Sequence, residues 1–383
     1  MHRSPLALAA LSTIAVPGLD VHHVQGALAP DGIDSAVAVD ADGRRWVVRA
    51  PRTPAAGAAL EAEAAFLAGV TDHVDSGALP FVVPRAAGSA PLPGAGRAIV
   101  HPEPPGHPLD VQRLVPGPGL TASVGRAVAA VHELPVALVE ASGHPVYSAE
   151  EYRQRRLSEV DEAARTGRVP ATLLRRWERA LEDVSLWRFR PVITHCALSS
   201  DSILVQAGQV SAVLDFFEVQ VGDPADDLAW LLASMPDESA DSLMEAYQLR
   251  RTELIDPHLL ERAALAGELA LARWLLHGVR TQRPEVVEDA VGMLRDLDRA
   301  ATELGDAGAT GPVPPRPGPT VADEAAAQGP DDGEPAVQEP DYEHATPRPH
   351  ADEPTTSYAV VTPDAGSGDD VAPADGTTPS KED

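Results

Sequence analysis

Residues 191–232, PVITHCALSSDSILVQAGQVSAVLDFFEVQVGDPADDLAWLL, constrain the fold more than any other part of the chain. A short β-branched run at 192–194 ends on His195, and a polar turn from Ala197 to Ser202 follows. Residues 203–205 read as a second strand, 206–209 as a tight connection and 210–214 as the returning strand. That strand stops on Asp215, ahead of Phe216 and Phe217. Gly222, Asp223 and Pro224 then open a helix carrying the apolar run 228–232. The hairpin thus sets the Asp215 carboxylate opposite the turn that begins at His195. Hard carboxylate oxygens are what magnesium and its phosphates require, so the pattern suits a metal–phosphate site.

The stretch resembles the catalytic segment of the aminoglycoside and macrolide phosphotransferases, small-molecule kinases with a bilobal protein-kinase-like fold. In that family the first turn reads His-x-Asp-x-x-x-x-Asn. The next strand ends in Asp, before a Gly-Asp-Pro-x-x-Asp-Leu-Ala helix start. Asp215, Gly222–Asp223–Pro224 and Asp227–Leu228–Ala229 match the second half. In the first half His195 matches, whereas the catalytic-base position holds Ala197 and the metal-ligand Asn position holds Ser202. The resemblance covers about residues 20–300 and is densest over 203–232.

The resemblance implies an α+β fold with a small β-rich N-lobe at 1–100, a hinge at 101–106, and a helical C-lobe at 107–305. It implies ATP or another nucleotide with magnesium as cofactor, and a small hydroxylated molecule as acceptor. Asp215 would be the principal metal ligand, with the shorter Ser202 hydroxyl as the second. His195 would brace the turn, while Asp223 and Asp227 hold it to the following helix. Cys196 stands where glycine is usual and reads as packing, since no His or Asp is spaced to make it a nucleophile. Ala197 cannot accept a hydroxyl proton, and losing a general base costs about 10²–10⁴ in rate. Asp201 is the candidate substitute if the turn shifts by one residue.

In the N-terminal third, residues 33–40 and 44–50 form a hairpin around Asp42–Gly43. Alternation puts Trp46, Val48 and Ala50 on one face, and Val47 and Arg49 on the other. Arg49 stands where the resembled fold carries a phosphate-holding lysine, although an ordinary strand arginine would look the same. Residues 54–70 read as a helix burying Leu60, Ala64 and Leu67. Its Glu63 is the candidate partner of Arg49, the alternative being a solvated glutamate. Residues 101–106, HPEPPG, form a proline-stiffened connection. If it is the hinge, Glu103 lies on the nucleotide side and main-chain groups meet the base. The N-terminal HRSPLALAALSTIAV has the length of a signal-peptide core but no small-x-small cleavage site, so a first helix is expected.

The C-lobe reads as helices. Their apolar stripes are Leu120 to Val131, Tyr152 to Val160, Leu173 to Leu181, a run through Trp274 and Leu275, and Val287 to Leu297. Ser148 with Glu151 has capping-box spacing, and Asp256–Pro257 reads as a helix start. From about residue 306 the composition changes: 14 of the 37 prolines, 17 acidic and 3 basic residues, and no Leu, Ile, Phe, Trp or Met. Such a segment cannot offset its chain entropy by burial, so 306–383 is predicted to be a disordered tail. Its charge makes it a candidate contact for a protein partner. The net charge of −28 argues against nucleic-acid binding. No run approaches a membrane span. The single cysteine, Cys196, excludes an intrachain disulfide and fits a reducing compartment, the cytoplasm being the expected one, or simple indifference.

Three readings therefore stand: a nucleotide-binding phosphotransferase homologue impaired at Ala197, an active small-molecule kinase working through a rearranged turn, and a non-enzymatic interaction protein.

Overall fold

The computed structural model describes residues 2–253 and 256–306, with side chains up to 303. The proposed tail at 306–383 therefore lies, but for residue 306, outside the described residues.

A five-stranded antiparallel sheet builds the smaller lobe, in the order β1-β2-β3-β5-β4. The strands are β1 (Val21–Ala27), β2 (Ile33–Asp40), β3 (Arg45–Pro51), β4 (Gly88–Leu92) and β5 (Gly96–Pro102). Helix α1 (Pro5–Ala15) precedes them, capped by Ser4, and covers one face. Its Leu8 and Ala15 bury against Ala36, Val48, Ala50, Ala98 and Val100, which is the alternation expected of a sheet with one covered face. Gly88 is required there, since a Cβ at this site would lie 1.9 Å from the Ala15 carbonyl oxygen. The segment with signal-peptide length is thus one layer of the lobe.

Helix α2 (Pro54–Asp75) starts on a Thr53 cap with proline at its first turn. It runs five residues beyond the expected end. Its Phe66, Leu67 and Val70 pack into the core of the larger lobe beside Leu79, Phe81 and Ile193. Phe66 meets Phe216 at 5.5 Å between ring centres. This apolar contact fixes α2, and with it Glu63, relative to the segment that carries Asp215.

The larger lobe continues with β6 (His107–Pro108), α3 (Leu120–His132), α4 (Ala137–Ser142), α5 (Ala149–Arg165) and α6 (Ala171–Glu182). Strand β7 (Val192–Thr194) pairs with β10 (Gln220–Gly222), and β6 joins β8 (Ile203–Gln206) and β9 (Gln209–Val213). Helices α7 (Ala225–Ser234), α8 (Asp237–Arg250), α9 (Leu259–Thr281) and α10 (Pro284–Asp306) complete it. The capping box of α5 is formed by Ser148 and Glu151.

A second core gathers Tyr152, Leu173, Trp177 and Leu181 against Leu269, Leu275 and Leu294. Helix α9 begins two residues later than the Asp256–Pro257 pair suggests. Asp256 accepts the His258 N–H at 2.9 Å and the Arg262 guanidinium at 2.6 Å, so its carboxylate makes a turn and an ion pair in place of a cap. No helix among the described residues is long and apolar enough to cross a membrane.

Candidate active site

A cavity of about 1540 Å³ lies between the sheet lobe and the helical lobe. Val47 and Arg49 of β3 face it, on the side of the strand opposite the α1-covered residues. Arg49 is buried and spans two carboxylates. Its Nη1 lies 3.1 Å from Glu63 Oε2, and its Nη2 lies 2.9 Å from Asp215 Oδ1. Its guanidinium also stacks 4.3 Å from the centre of the Phe217 ring. Asp215 takes a left-handed backbone conformation, φ +62° and ψ +54°, one that Asp adopts more readily than most residues. That turn ends β9 and directs the half-buried carboxylate to Arg49.

Glu63 is 2% exposed. Burial pushes its carboxyl up to about 7; Arg49 opposes the rise and the Asp215 charge reinforces it. A carboxyl raised this way binds its proton more tightly folded than unfolded. Its contribution to stability is therefore full below its ordinary value near 4.5 and is lost as pH rises through about 7. We expect the melting temperature of the native chain, relative to Glu63→Gln, to fall between those limits. A flat difference profile by scanning calorimetry would show that Arg49 keeps Glu63 ionised throughout.

The turn after β7 is held from below. Asp227, fully buried on α7, accepts the backbone N–H groups of His195 and Cys196, each at 2.7 Å. It also accepts His132 Nε2 at 3.0 Å, and His132 Nδ1 meets the Tyr247 hydroxyl at 2.9 Å. Burial alone would raise the Asp227 carboxyl, but its bonds to His132 and the His195 backbone hold it below the usual carboxylate range. The His195 ring reaches across to the residue just past β9, with Nε2 2.7 Å from the Leu214 carbonyl. A carbonyl only accepts, so Nε2 carries the proton and Nδ1 is left to accept the Ala197 N–H at 3.3 Å. His195 therefore ties the turn to the strand that ends in Asp215.

Cys196 has φ +63°, the conformation that explains why glycine suits this place. Burial pushes its thiol well above the ordinary value, and the charges of Asp226 and Asp227 add to the rise. It is not poised as a nucleophile. Ala197 follows, exposed on the cavity wall.

Ser202 is 1% exposed and is absent from that wall. Its hydroxyl accepts the Ser199 N–H at 2.8 Å and donates to the Ser199 carbonyl at 3.1 Å. The geometry thus turns Ser202 inward, away from the expected second metal-ligand place, because closing the turn uses both of its hydrogen-bonding roles. Asp201 lies on the wall with its side chain exposed.

Across the cavity, β5 runs to Pro102, so the expected hinge starts inside the strand. The Glu103 N–H pairs with the Arg45 carbonyl at 2.9 Å, and its carboxylate pairs with the Arg45 side chain. Pro102, Pro104 and Pro105 have no N–H, so few main-chain donors remain in 101–106. His101 is buried, and burial takes its ring down to about 4 while the Pro102 carbonyl opposes the fall.

The structure brings Arg49, Asp215, Ala197, Asp201 and Glu103 around one cavity, with Glu63 buried behind Arg49 and His195 behind the turn. Sequence reasoning missed the His132–Tyr247 support, the Phe217 stack, and the α7–α9 wall with Ser234 and Arg273. His132 sits among apolar stripe residues and carries no motif of its own. The α7–α9 wall exists only because two helices pair, which no local spacing announces.

A β-rich lobe joined to a helical lobe across such a cleft, with an Asp-ended hairpin in it, defines a kinase-like phosphotransferase fold. The Phosphotransferase enzyme family matches residues 26–265, and the chain belongs to that family. Among solved structures it is similar to the apoenzyme of macrolide 2'-phosphotransferase MphH from Brachybacterium faecium, with 26% identity and a TM-score of 0.63. That match covers 75% of this chain and 97% of MphH. The GDP complex of aminoglycoside 2'-phosphotransferase-IIIa shares the fold at 17% identity, with a TM-score of 0.63, covering 78% and 100%. The uncharacterized protein YcbJ of Bacillus subtilis (strain 168) is 24% identical over 287 residues, 73% of this chain and 94% of YcbJ.

Proposed function

We propose that the chain is a nucleotide-binding member of the phosphotransferase family whose transfer chemistry is impaired at Ala197. The observation that carries this reading is the wall composition. Arg49, Glu63 and Asp215 are assembled as an ion-paired cluster, yet the neighbouring turn presents a methyl group where a proton acceptor is needed. Phosphoryl transfer depends on positioning and charge neutralisation, and then on a group that orients the attacking oxygen. The first two are supported by these residues. The third is not.

The cavity has the size for a nucleoside triphosphate and the Arg49 cation for its phosphates. Among the family's metal-ligand positions, Asp215 supplies one carboxylate, and the Ser202 hydroxyl is engaged in the turn. A magnesium ion would therefore lean on Asp215 and the phosphates themselves, as that ion commonly does. When bound, it would neutralise phosphate charge. The donor-poor hinge leaves main-chain carbonyls as its chief contacts, so the exocyclic amino group of a base is the favoured partner. GDP and ATP complexes of related aminoglycoside phosphotransferases are consistent with nucleotide use.

Magnesium ATP or GTP is expected to raise the melting temperature, and Asp215→Ala to abolish the shift. At 100 times the dissociation constant the stabilisation is about 2.7 kcal/mol, well within calorimetric reach. If neither nucleotide moves the midpoint, with or without metal, a non-enzymatic interaction role replaces this reading. Asp201, exposed on the wall, supports a second reading in which a shifted turn restores activity on a small hydroxylated acceptor.

A further inference from the structure

The cavity extends past Asp215 to a far end between α7 and α9. There Ala229, Ala233, Ala266 and Ala270 keep the side chains short and the space open. Two polar atoms of residues in this wall are buried without a hydrogen-bond partner: Ser234 Oγ and Arg273 Nη1. Native proteins leave few such groups unmatched, and two along one cavity wall ask for a common cause.

Arg273 is the more telling of the two. The carboxylates near it are taken by another arginine. Asp226 Oδ2 accepts Arg156 Nη2 at 2.9 Å, and Glu159 Oε2 accepts Arg156 Nη1 at 2.7 Å. Burial disfavours the charged form of Arg273 and the Arg156 charge adds to this, while the charges of Asp226 and Glu159 oppose it without bonding to it. A guanidinium nevertheless stays protonated in proteins, so its buried Nη1 is a charged donor with no acceptor. The side chain is half-buried on the cavity wall, and leaving a buried donor of a charged group unmatched is costly. Next to it, Trp274 lines the same wall, stacked on His277 with ring centres 5.4 Å apart.

We infer that the α7–α9 end of the cavity binds an oxyanion, the carboxylate or phosphate ester of a hydroxylated acceptor, through Arg273. The inference rests on the phosphotransferase reading of the cavity and adds the chemistry of the acceptor to it. A polycationic amino sugar meets Arg273 as a like charge, whereas a sugar acid or sugar phosphate offers acceptor atoms to the part of the guanidinium that lines the cavity.

Calorimetric titration of the full chain with D-gluconate, D-glucose, D-glucose 6-phosphate and inorganic phosphate tests this. At least one of the two sugar anions is expected to bind tenfold or more tightly than glucose. Arg273→Gln should remove that advantage, and Arg273→Lys should keep part of it. The better of gluconate and glucose 6-phosphate tells which oxyanion the site prefers.

Arg273→Gln is also expected to hold or raise the melting temperature, because it removes a buried charged donor that has no acceptor. An arginine present for structure alone would lower it. Inorganic phosphate should lose affinity in Arg273→Gln and keep it in Arg49→Gln. The reverse would place the anion at the nucleotide end and overturn the inference. So would equal binding of anions and glucose, no binding of either anion, or anion binding untouched by Arg273→Gln. None of these titrations contains nucleotide. A failure of nucleotide binding therefore counts against the parent reading alone, and a failure here counts against the oxyanion alone.

Discussion

Replacing Ala197 by Asp and Ser202 by Asn together is expected to raise ATP or GTP hydrolysis at least tenfold over the native chain. The native rate should sit barely above background. A positioned general base contributes about 10²–10⁴ in rate, and the gain should approach that range as far as the turn is already in place. The supports for it are present: Asp227 holds the backbone of His195 and Cys196, and His195 ties the turn to Leu214. Ala197 is exposed on the cavity wall, so a carboxylate there pays no burial cost. Asn at 202 restores the residue of the family's turn and retains an acceptor for the Ser199 N–H. Water serves as the acceptor, so the measurement does not depend on the true substrate. Strong turnover by the native chain that Asp201→Ala destroys would show instead that Asp201 is the working carboxylate.

Asp227→Ala is expected to be the most destabilising single change near the site. It strands three buried donors at once: two backbone N–H groups and His132 Nε2. Each buried donor left without an acceptor costs about 1–3 kcal/mol, so a loss of several kcal/mol is anticipated. Domain stabilities are typically about 5–15 kcal/mol, so the variant should unfold at clearly lower urea concentration. Asp227→Asn keeps one acceptor oxygen and should fall between. A shift in midpoint equivalent to less than about 1 kcal/mol would mean that the turn holds itself without α7.

Much of this protein was legible along the chain because its signals are local. The hairpin over 33–50 follows from a period of two around Asp-Gly, and the α5 cap from Ser148 and Glu151 three residues apart. The strand ending in Asp215 and the Gly222–Asp223–Pro224 helix start lie within one short stretch, so pattern alone marked the family and drew attention to Ala197, where the family's motif carries Asp. Other features are properties of pairs distant in sequence. Along the chain Arg49 could have been a site residue or an ordinary strand cation; what the tertiary structure adds is that the packing of Phe66 on Phe216 brings α2 and the Asp215 turn to the same guanidinium. Ser202 could have faced a metal or its own turn, and the 2.8 Å contact to Ser199 is a matter of backbone path. Asp256 was given to a helix cap by its neighbour Pro257, but the charge of Arg262, six residues on, drew it into an ion pair. Arg273 looked like any arginine on an apolar helix. Only the pairing of α9 with α7, and the commitment of Asp226 and Glu159 to Arg156, left its Nη1 without an acceptor, because hydrogen bonding is decided by which groups tertiary packing brings within reach.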